Sequence, residues 1–431
     1  MIIRGQVILT YSHKRDRFSR VIETTALCNS KEYVMDEQAR PVIGPPVMGQ
    51  SVATCASLGN IFTNALTAFG GAMLSRLYSV LATAIRNEIP LVVSIAGPIT
   101  LSDQHRTWLI PMIERGWIAY ISTTDAVCYH DGHDALEKFS QRPIGRLPLF
   151  GDDAANLKEG IIRVTNLGFE EQILFSQDKM ISAVLCRPEF QKKMTTTERN
   201  HHLGKYYHAA EEAYGVRPGL LSTCYRHALP VFIGAPADGS TFLNSVKLWA
   251  LDKLGSRSYQ FDYDLHADVF EACAYHHWGL FKSPKKSLAL LILGGGVPKN
   301  YALQPEPALS QILLLENVRG YDYDVQIVSS PVTDGSLSGC YPSEAVSWGK
   351  VNPETYVEQS ASVQADYSML MPFVIRALFE DRTLVTRPHL RLYHVREKLT
   401  AELLSKVSEQ LPELEDTLAY TLHFRETNTS Q

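Results

Sequence analysis

No stretch of 18 apolar residues occurs anywhere in the 431-residue chain. The most apolar runs, such as Leu288 to Leu293, are strand-sized, which excludes a membrane-spanning helix and leaves a soluble protein with no membrane partner as the expectation. The start, Met1-Ile-Ile-Arg-Gly-Gln-Val-Ile-Leu-Thr-Tyr, lacks a cationic region followed by a long apolar stretch and a cleavage site, so no signal peptide is read. Cysteine pairs are missing too. The seven cysteines, Cys28, Cys55, Cys128, Cys186, Cys224, Cys273 and Cys340, are odd in number, widely spaced and without a CxxC, which argues for free thiols in a reducing, cytoplasmic compartment. A basic excess is absent: Lys and Arg number 41 against 46 Asp and Glu, for a net charge of −5, and they are scattered. Nucleic acid is therefore not an expected partner. Finally, no GxGxxG dinucleotide fingerprint occurs, so an ordinary NAD dehydrogenase is disfavoured.

What is present is 45% hydrophobic and 20% charged, enough for one large α/β domain or two smaller ones with real cores. Residues 1–50 end in the Pro/Gly cluster Pro41-Val-Ile-Gly-Pro-Pro-Val-Met-Gly and read as an appendage. Helical spacing from Ser51 to Arg86 precedes the β-branched run Ile89 to Ile95, broken by Gly97-Pro98. A helical stretch around Ser102 to Glu114 stops at Gly116, and Trp117 to Ser122 is a second buried strand. That is a βαβ unit, whose parallel strands need a crossover helix. The alternation resumes with Val231-Phe-Ile, Leu288 to Leu293, Asp324 to Val328 and Ser362 to Ala365. The expected fold is α/β: a Rossmann-like, open, mostly parallel sheet with helices on both faces, over residues 51–395. Residues 396–431 are expected as a helical tail. Ligands of such sheets bind outside the carboxyl ends of the strands, so function is expected in the strand-to-helix loops.

Three such loops stand out: Asp238-Gly239-Ser240, Gly294-Gly295-Gly296, and Asp334-Gly335-Ser336 leading to Glu344-Ala-Val-Ser-Trp348-Gly-Lys350. Glycines after a strand let backbone approach a phosphate or ribose, but equally they make a bare tight turn. Lys350 beside Trp348 could be a desolvated, imine-forming lysine. On the pattern alone a surface lysine is the commoner case.

The motifs decide between these. Gly294-Gly-Gly-Val-Pro-Lys-Asn-Tyr301, Asp334-Gly-Ser-Leu-Ser-Gly339 and above all Glu344 to Lys350 resemble the signature blocks of deoxyhypusine synthases, in the family's order. Asp238-Gly-Ser and Gln364-Ala-Asp366-Tyr-Ser are similar to further blocks, and Thr123-Thr124 with His130-Asp131 more loosely to an earlier one. The resemblance spans roughly residues 50 to 385. It implies a mechanism in which bound NAD takes hydride from a polyamine such as spermidine and the resulting imine passes to Lys350, which holds a butylamine fragment until an acceptor amine replaces it. It also implies that Asp238, Gly295, Ser329, Ser330, Asp366 and Tyr367 line the NAD site. The loops carrying Thr100 and Ser102, and Thr124 and Asp125, complete it. Glu344 and Trp348 would hold the amine, with His130 nearby, and the protein would be a homotetramer with NAD sites between subunits. Asp238 and Asp366 read equally as helix caps, and Trp348 as core.

At amine-facing positions the chain departs from the family pattern. A second acid expected after Asp238 falls on Leu243, a histidine after the glycine block is Asn300, and an acid before Ser338-Gly339 is Leu337. An ammonium buried without counter-charge is costly, so spermidine is not expected in the family's usual pose. A planar guanidinium asks more for stacking surface, which Trp348 and Tyr301 offer, with Glu344 as a carboxylate. The expected activity is thus transfer of an aminobutyl-type group to a small amine, giving a homospermidine-type or agmatine-derived product. A translation-factor lysine is the less favoured acceptor. The alternative is a non-catalytic, NAD-binding regulatory subunit, against which Lys350, Glu344 and Trp348 together argue. No metal is expected: Cys273, His276 and His277 lack a second cluster to complete a ligand set. His201, His202 and His208 read as solvated, and the Asn428-Thr-Ser sequon as a match by letter only.

Overall fold

The short apolar runs become six strands: β1 Leu91–Ile95, β2 Ile118–Thr123, β3 Val231–Ile233, β4 Ala289–Leu293, β5 Tyr323–Val328 and β6 Ser360–Gln364. They form one sheet in the order β6-β5-β4-β1-β2-β3, and every neighbouring pair is parallel. This is the strand order of the doubly wound dinucleotide-binding fold, with its switch point between β1 and β4. The expected α/β class is what the structure has. The computed structural model describes residues 46–136 and 144–419. The chain divides into two compact units, residues 1–47 and 48–431, and nearly all of the expected appendage falls outside the described residues, as does the Asn428 sequon.

Both faces of the sheet are apolar, because successive side chains of a strand point to opposite sides. Ala289, Leu291 and Leu293 of β4 join one core with Val93, Ile121, Ile327 and Val363; Leu290 and Ile292 join the other with Val92, Tyr120 and Phe232. The first face is covered by α1 Phe69–Arg86, and the strand-to-helix step after β2 begins α2 Asp125–Asp131. Between β1 and β2 the crossover is a helical segment, His105–Leu109 continuing into Ile110–Glu114. It ends at Gly116 (φ 68), where a Cβ would lie 2.3 Å from the Arg387 carbonyl oxygen.

The connection from β2 to β3 carries structure that the sequence pattern did not disclose. Strands Gly145–Arg146, Ile161–Val164 and Leu167–Glu170 form a small antiparallel sheet. Two long helices follow, α3 Glu171–Leu185 and α4 Thr196–Tyr214. Helix α4 is capped by Thr195, whose hydroxyl accepts from the Glu198 amide at 3.2 Å, and it stops at left-handed Gly215. Beyond β3 come α5 Ser240–Lys253, α6 Leu265–Phe281 and, after β4, α7 Gly296–Leu303. Helix α8 Pro342–Ser347 lies between β5 and β6, and α9 Tyr367–Glu380 follows β6. The expected helical tail is entered through α10 Leu392–Ser408, which packs on α6 with Leu399 and Leu403 buried, and continues in the short helix Leu411–Asp416. No helix among the described residues is long and apolar enough to cross a membrane.

Candidate functional site

The carboxyl ends of β1 and β4 form a cradle floored by glycine. Gly97 (φ 88) and Gly294 (φ 80) both have left-handed backbone, which costs glycine nothing. A Cβ on Gly97 would stand 3.4 Å from the Tyr367 hydroxyl, one on Gly294 3.3 Å from the Tyr367 ring, and one on Gly295 2.9 Å from Ala96 Cβ. Tyr367, the first residue of α9, closes this floor by donating its hydroxyl to the Ala96 carbonyl at 2.8 Å. Around it, Ser102, Asp238, Ser329 and Asp366 are solvent-exposed after β1, β3, β5 and β6. Three strand-end glycines at the switch point, with exposed polar side chains on the surrounding loops, fit a dinucleotide. Asp366 is also a helix cap, accepting from the Ser368 amide at 2.8 Å; Asp238 caps nothing, because α5 is entered through Gly239.

Two members of the expected cofactor set face the interior instead. Asp125 is 3% exposed, and both its oxygens are taken, one by Arg199 Nη1 at 2.7 Å and one by the Thr241 amide at 2.9 Å. This buried ion pair ties α2, α4 and the start of α5 together. Thr100 is buried and donates to the Val127 carbonyl at 2.8 Å. Ser102 bonds the Ile99 carbonyl at 2.9 Å, and Thr124 is half-buried at the start of α2.

From the glycine turn a cleft runs along α7. Its first part, about 690 Å³, is lined by Gly234, Asp268, Asn300, Tyr301 and Leu337 among others; the second, about 480 Å³, by Tyr301, Gln304, Pro305, Trp348 and Lys350. Val269, Tyr301 and Gln304 belong to both parts. The structure thus brings Asn300, Leu337, Trp348 and Lys350 to one surface. Lys299 explains why the glycine block and the Asp334 block meet: its buried ammonium donates to the Gln326 side chain at 2.9 Å and to the Cys340 carbonyl at 2.6 Å. It pins the end of the loop that carries Leu337.

Lys350 stands at the far end of this cleft. Its carbonyl accepts from the Tyr321 amide at 3.0 Å, and Val351 makes an isolated bridge with Tyr321. The lysine therefore lies toward the amino end of β5, not in a loop at the carboxyl ends as expected. Its Nζ sits 5.5 Å from the centre of the exposed Trp348 ring, a cation–π distance. Burial pushes its ammonium below the usual lysine range, opposed by the Cys340 thiol and the Glu306 carboxylate.

Other expected amine contacts lie elsewhere. Glu344 is exposed in the first turn of α8, beside the Cys340 thiol. Leu243 is 63% exposed on α5, in line with Val246 and Trp249, and lines neither part of the cleft. His130 stands 3.1 Å from His133 Nε2 and packs on Tyr129 and Phe169, and burial lowers it to about 4. His276, weighed as a metal ligand, is a core residue bonded to the Arg319 carbonyl at 3.0 Å.

One acid that lines the cleft and one behind its wall escaped the sequence reading. Asp268 of α6 is 1% exposed and accepts from Tyr301 at 2.5 Å and from the Thr196 amide and hydroxyl at 2.6 and 2.8 Å. Glu306, between two prolines, is buried beside Gly349. An acid amid apolar helix residues, or flanked by prolines, was the available signal.

The family model of deoxyhypusine synthase matches residues 61–378. A deoxyhypusine synthase-like protein of Nostoc sp. (strain PCC 7120) is 33% identical over 365 residues, covering 84% of this chain and 91% of the relative. One of Thermosynechococcus vestitus is 31% identical over 377 residues, covering 86% and 90%.

Proposed function

Because the chain belongs to the deoxyhypusine synthase family, we propose that it is an NAD-dependent transferase moving an aminobutyl-type group through Lys350 to a small acceptor amine. The observation that carries this reading is Lys350 itself, half-buried over the Trp348 face at the end of a cleft, with burial favouring its neutral, nucleophilic form. NAD, when bound, supplies the hydride acceptor and donor. The chain's own residues do the rest. Trp348 faces the cation, Pro305, Pro307 and Ile312 keep the wall apolar, and Tyr301 is held against Asp268.

A planar, guanidinium-bearing donor such as agmatine is favoured over spermidine. Asn300 and Leu337 line the cleft where charged groups would answer a second ammonium, and Asp268 already has its partners. Trp348 and Tyr301 offer ring faces, and Gln304 and Gln311 offer amide oxygens. The same reading makes the protein a homotetramer with NAD sites between subunits. The turn at Gly296 and the Gln304 end of the cleft are about 12 Å apart along α7, a span that a partner subunit's cofactor could shorten. The test is NADH formation with each amine: faster reduction with agmatine supports the assignment, and equal or faster reduction with spermidine sinks it.

A further inference from the structure

Beside the Lys350 turn lies a carboxyl group that the proposed reaction leaves unused. Glu306 sits in the short turn Pro305–Pro307 and is 5% exposed. Both flanking prolines line the lysine's cleft. The acid's two oxygens rest against Gly349: a Cβ there would stand 2.9 Å from Oε1 and 2.8 Å from Oε2. Gly349 is left-handed as well (φ 78), so the residue before Lys350 is glycine for two reasons, backbone conformation and room for this carboxyl. Among the described residues Oε2 has no hydrogen-bond partner, and the Ser310 hydroxyl beside the carboxyl only partly opposes the effect of burial on it. Of the two described groups whose charge bears on the Lys350 ammonium, Cys340 and Glu306, Glu306 is the carboxylate.

An under-bonded buried carboxylate and a half-buried ammonium each carry a desolvation cost that the other offsets. We propose that Glu306 is the charge partner and proton acceptor of Lys350, holding it as an ammonium at rest and taking its proton when the lysine nitrogen turns to a substrate carbon. The step balances: an N–H bond of the ammonium breaks, an O–H bond forms on Glu306, and the nitrogen keeps the electron pair that attacks. The proton returns when the lysine is released. Burial raises the Glu306 carboxyl and lowers the Lys350 ammonium, so the two proton affinities move toward each other and the transfer costs less than it would between the same groups in water. The attack rests on the transferase reading; the charge pairing does not.

The experiment is acetylation of Lys350 in the full chain, without amine or NAD, across a pH series and quantified by peptide mass spectrometry, in wild type and Glu306→Gln. Loss of the negative charge should move the labelling midpoint down by about one pH unit, about tenfold in free amine below the midpoint, while turnover with the donor amine falls. A merely structural role would not lower that midpoint. An unchanged or raised midpoint overturns the pairing. Glu306→Asp, which keeps the charge but withdraws it by one methylene, should fall by less. Should Glu306→Gln not fold, Glu306→Asp decides alone, a fall supporting the pairing and no change overturning it. If wild type never forms an amine adduct, the transferase reading fails, and the pairing still stands or falls on the midpoint.

Discussion

The amide of Tyr321 donates to the carbonyl of Lys350 at 3.0 Å, and the Asn352 amide returns a bond to the Tyr321 carbonyl at 2.9 Å. The chain that leaves β5 for its long excursion through α8 is thereby fastened back to the segment that leads into the same strand. Tyr321 is itself fixed, its hydroxyl bonded to Ala302 of α7 and to Tyr120 of β2. The lysine's backbone is thus held by the sheet and by the helix that floors the cleft.

Gly320 shows how tight that fastening is. A Cβ there would lie 2.0 Å from both the carbonyl carbon and oxygen of Lys350, which are backbone atoms and cannot rotate away. Gly320→Ala should therefore displace Lys350, cutting amine transfer at least tenfold and destabilising the fold by about 1–3 kcal/mol. Activity assays beside thermal unfolding would check it; full activity would contradict the placement.

At the other end of the cleft, Gly294→Ala asks a side chain to adopt φ 80 against the Tyr367 ring. Such strain costs roughly 1–3 kcal/mol, and relief by moving Tyr367 opens the cradle floor. The NAD dissociation constant, measured by calorimetry, should rise about tenfold, with fold and amine binding little changed.

Trp348 is 59% exposed, so its removal should cost little stability. Trp348→Ala is expected to raise KM for the donor amine about three- to tenfold, the worth of an exposed cation–π contact, while Trp348→Phe retains most of it. Equal KM values in all three proteins would show that the ring does not face the substrate.

Buried histidines set the response to acid. Burial lowers His105 and His133 to about 3 and His130 and His276 to about 4, from an ordinary 6.5. The folded state binds these protons less readily than the unfolded one, so their stabilisation is complete above about 6.5 and is lost as pH falls through about 4 for His130 and His276 and about 3 for His105 and His133. Glu211 acts oppositely. Burial lifts it from 4.5 to about 7, so its contribution is greatest below 4.5 and declines as pH rises to 7. Glu211→Gln, which can still accept from the Gly219 amide, should gain roughly 1–3 kcal/mol on wild type between pH 5 and pH 8. Unfolding midpoints at the two pH values would test both signs.

The strands were legible because a parallel strand covered on both faces reads as an unbroken apolar run, as Ala289–Leu293 does. Helix α4 was not, because its buried side includes Thr196, Thr197, Arg199, Asn200 and Glu211, and polar residues bonded to other parts of the fold leave no apolar period. The same long-range pairing misled the reading of Asp125: an acid after a strand suits a ribose or an arginine equally, and Arg199 lies 74 residues away. Trp348 and Lys350 were visible because they fall within one short contiguous motif, Glu344 to Lys350. Glu306 was hidden because it meets Gly349 only through the fold.

The most direct test of the account is intact mass after incubation with NAD and equal spermidine, putrescine and agmatine, followed by borohydride, for wild type and Lys350→Arg. The account predicts an adduct on wild type alone, with the mass of a guanidinobutyl group. An aminobutyl adduct would move the donor to a polyamine. No adduct despite bound NAD would contradict the transferase assignment and favour a non-catalytic, NAD-binding subunit.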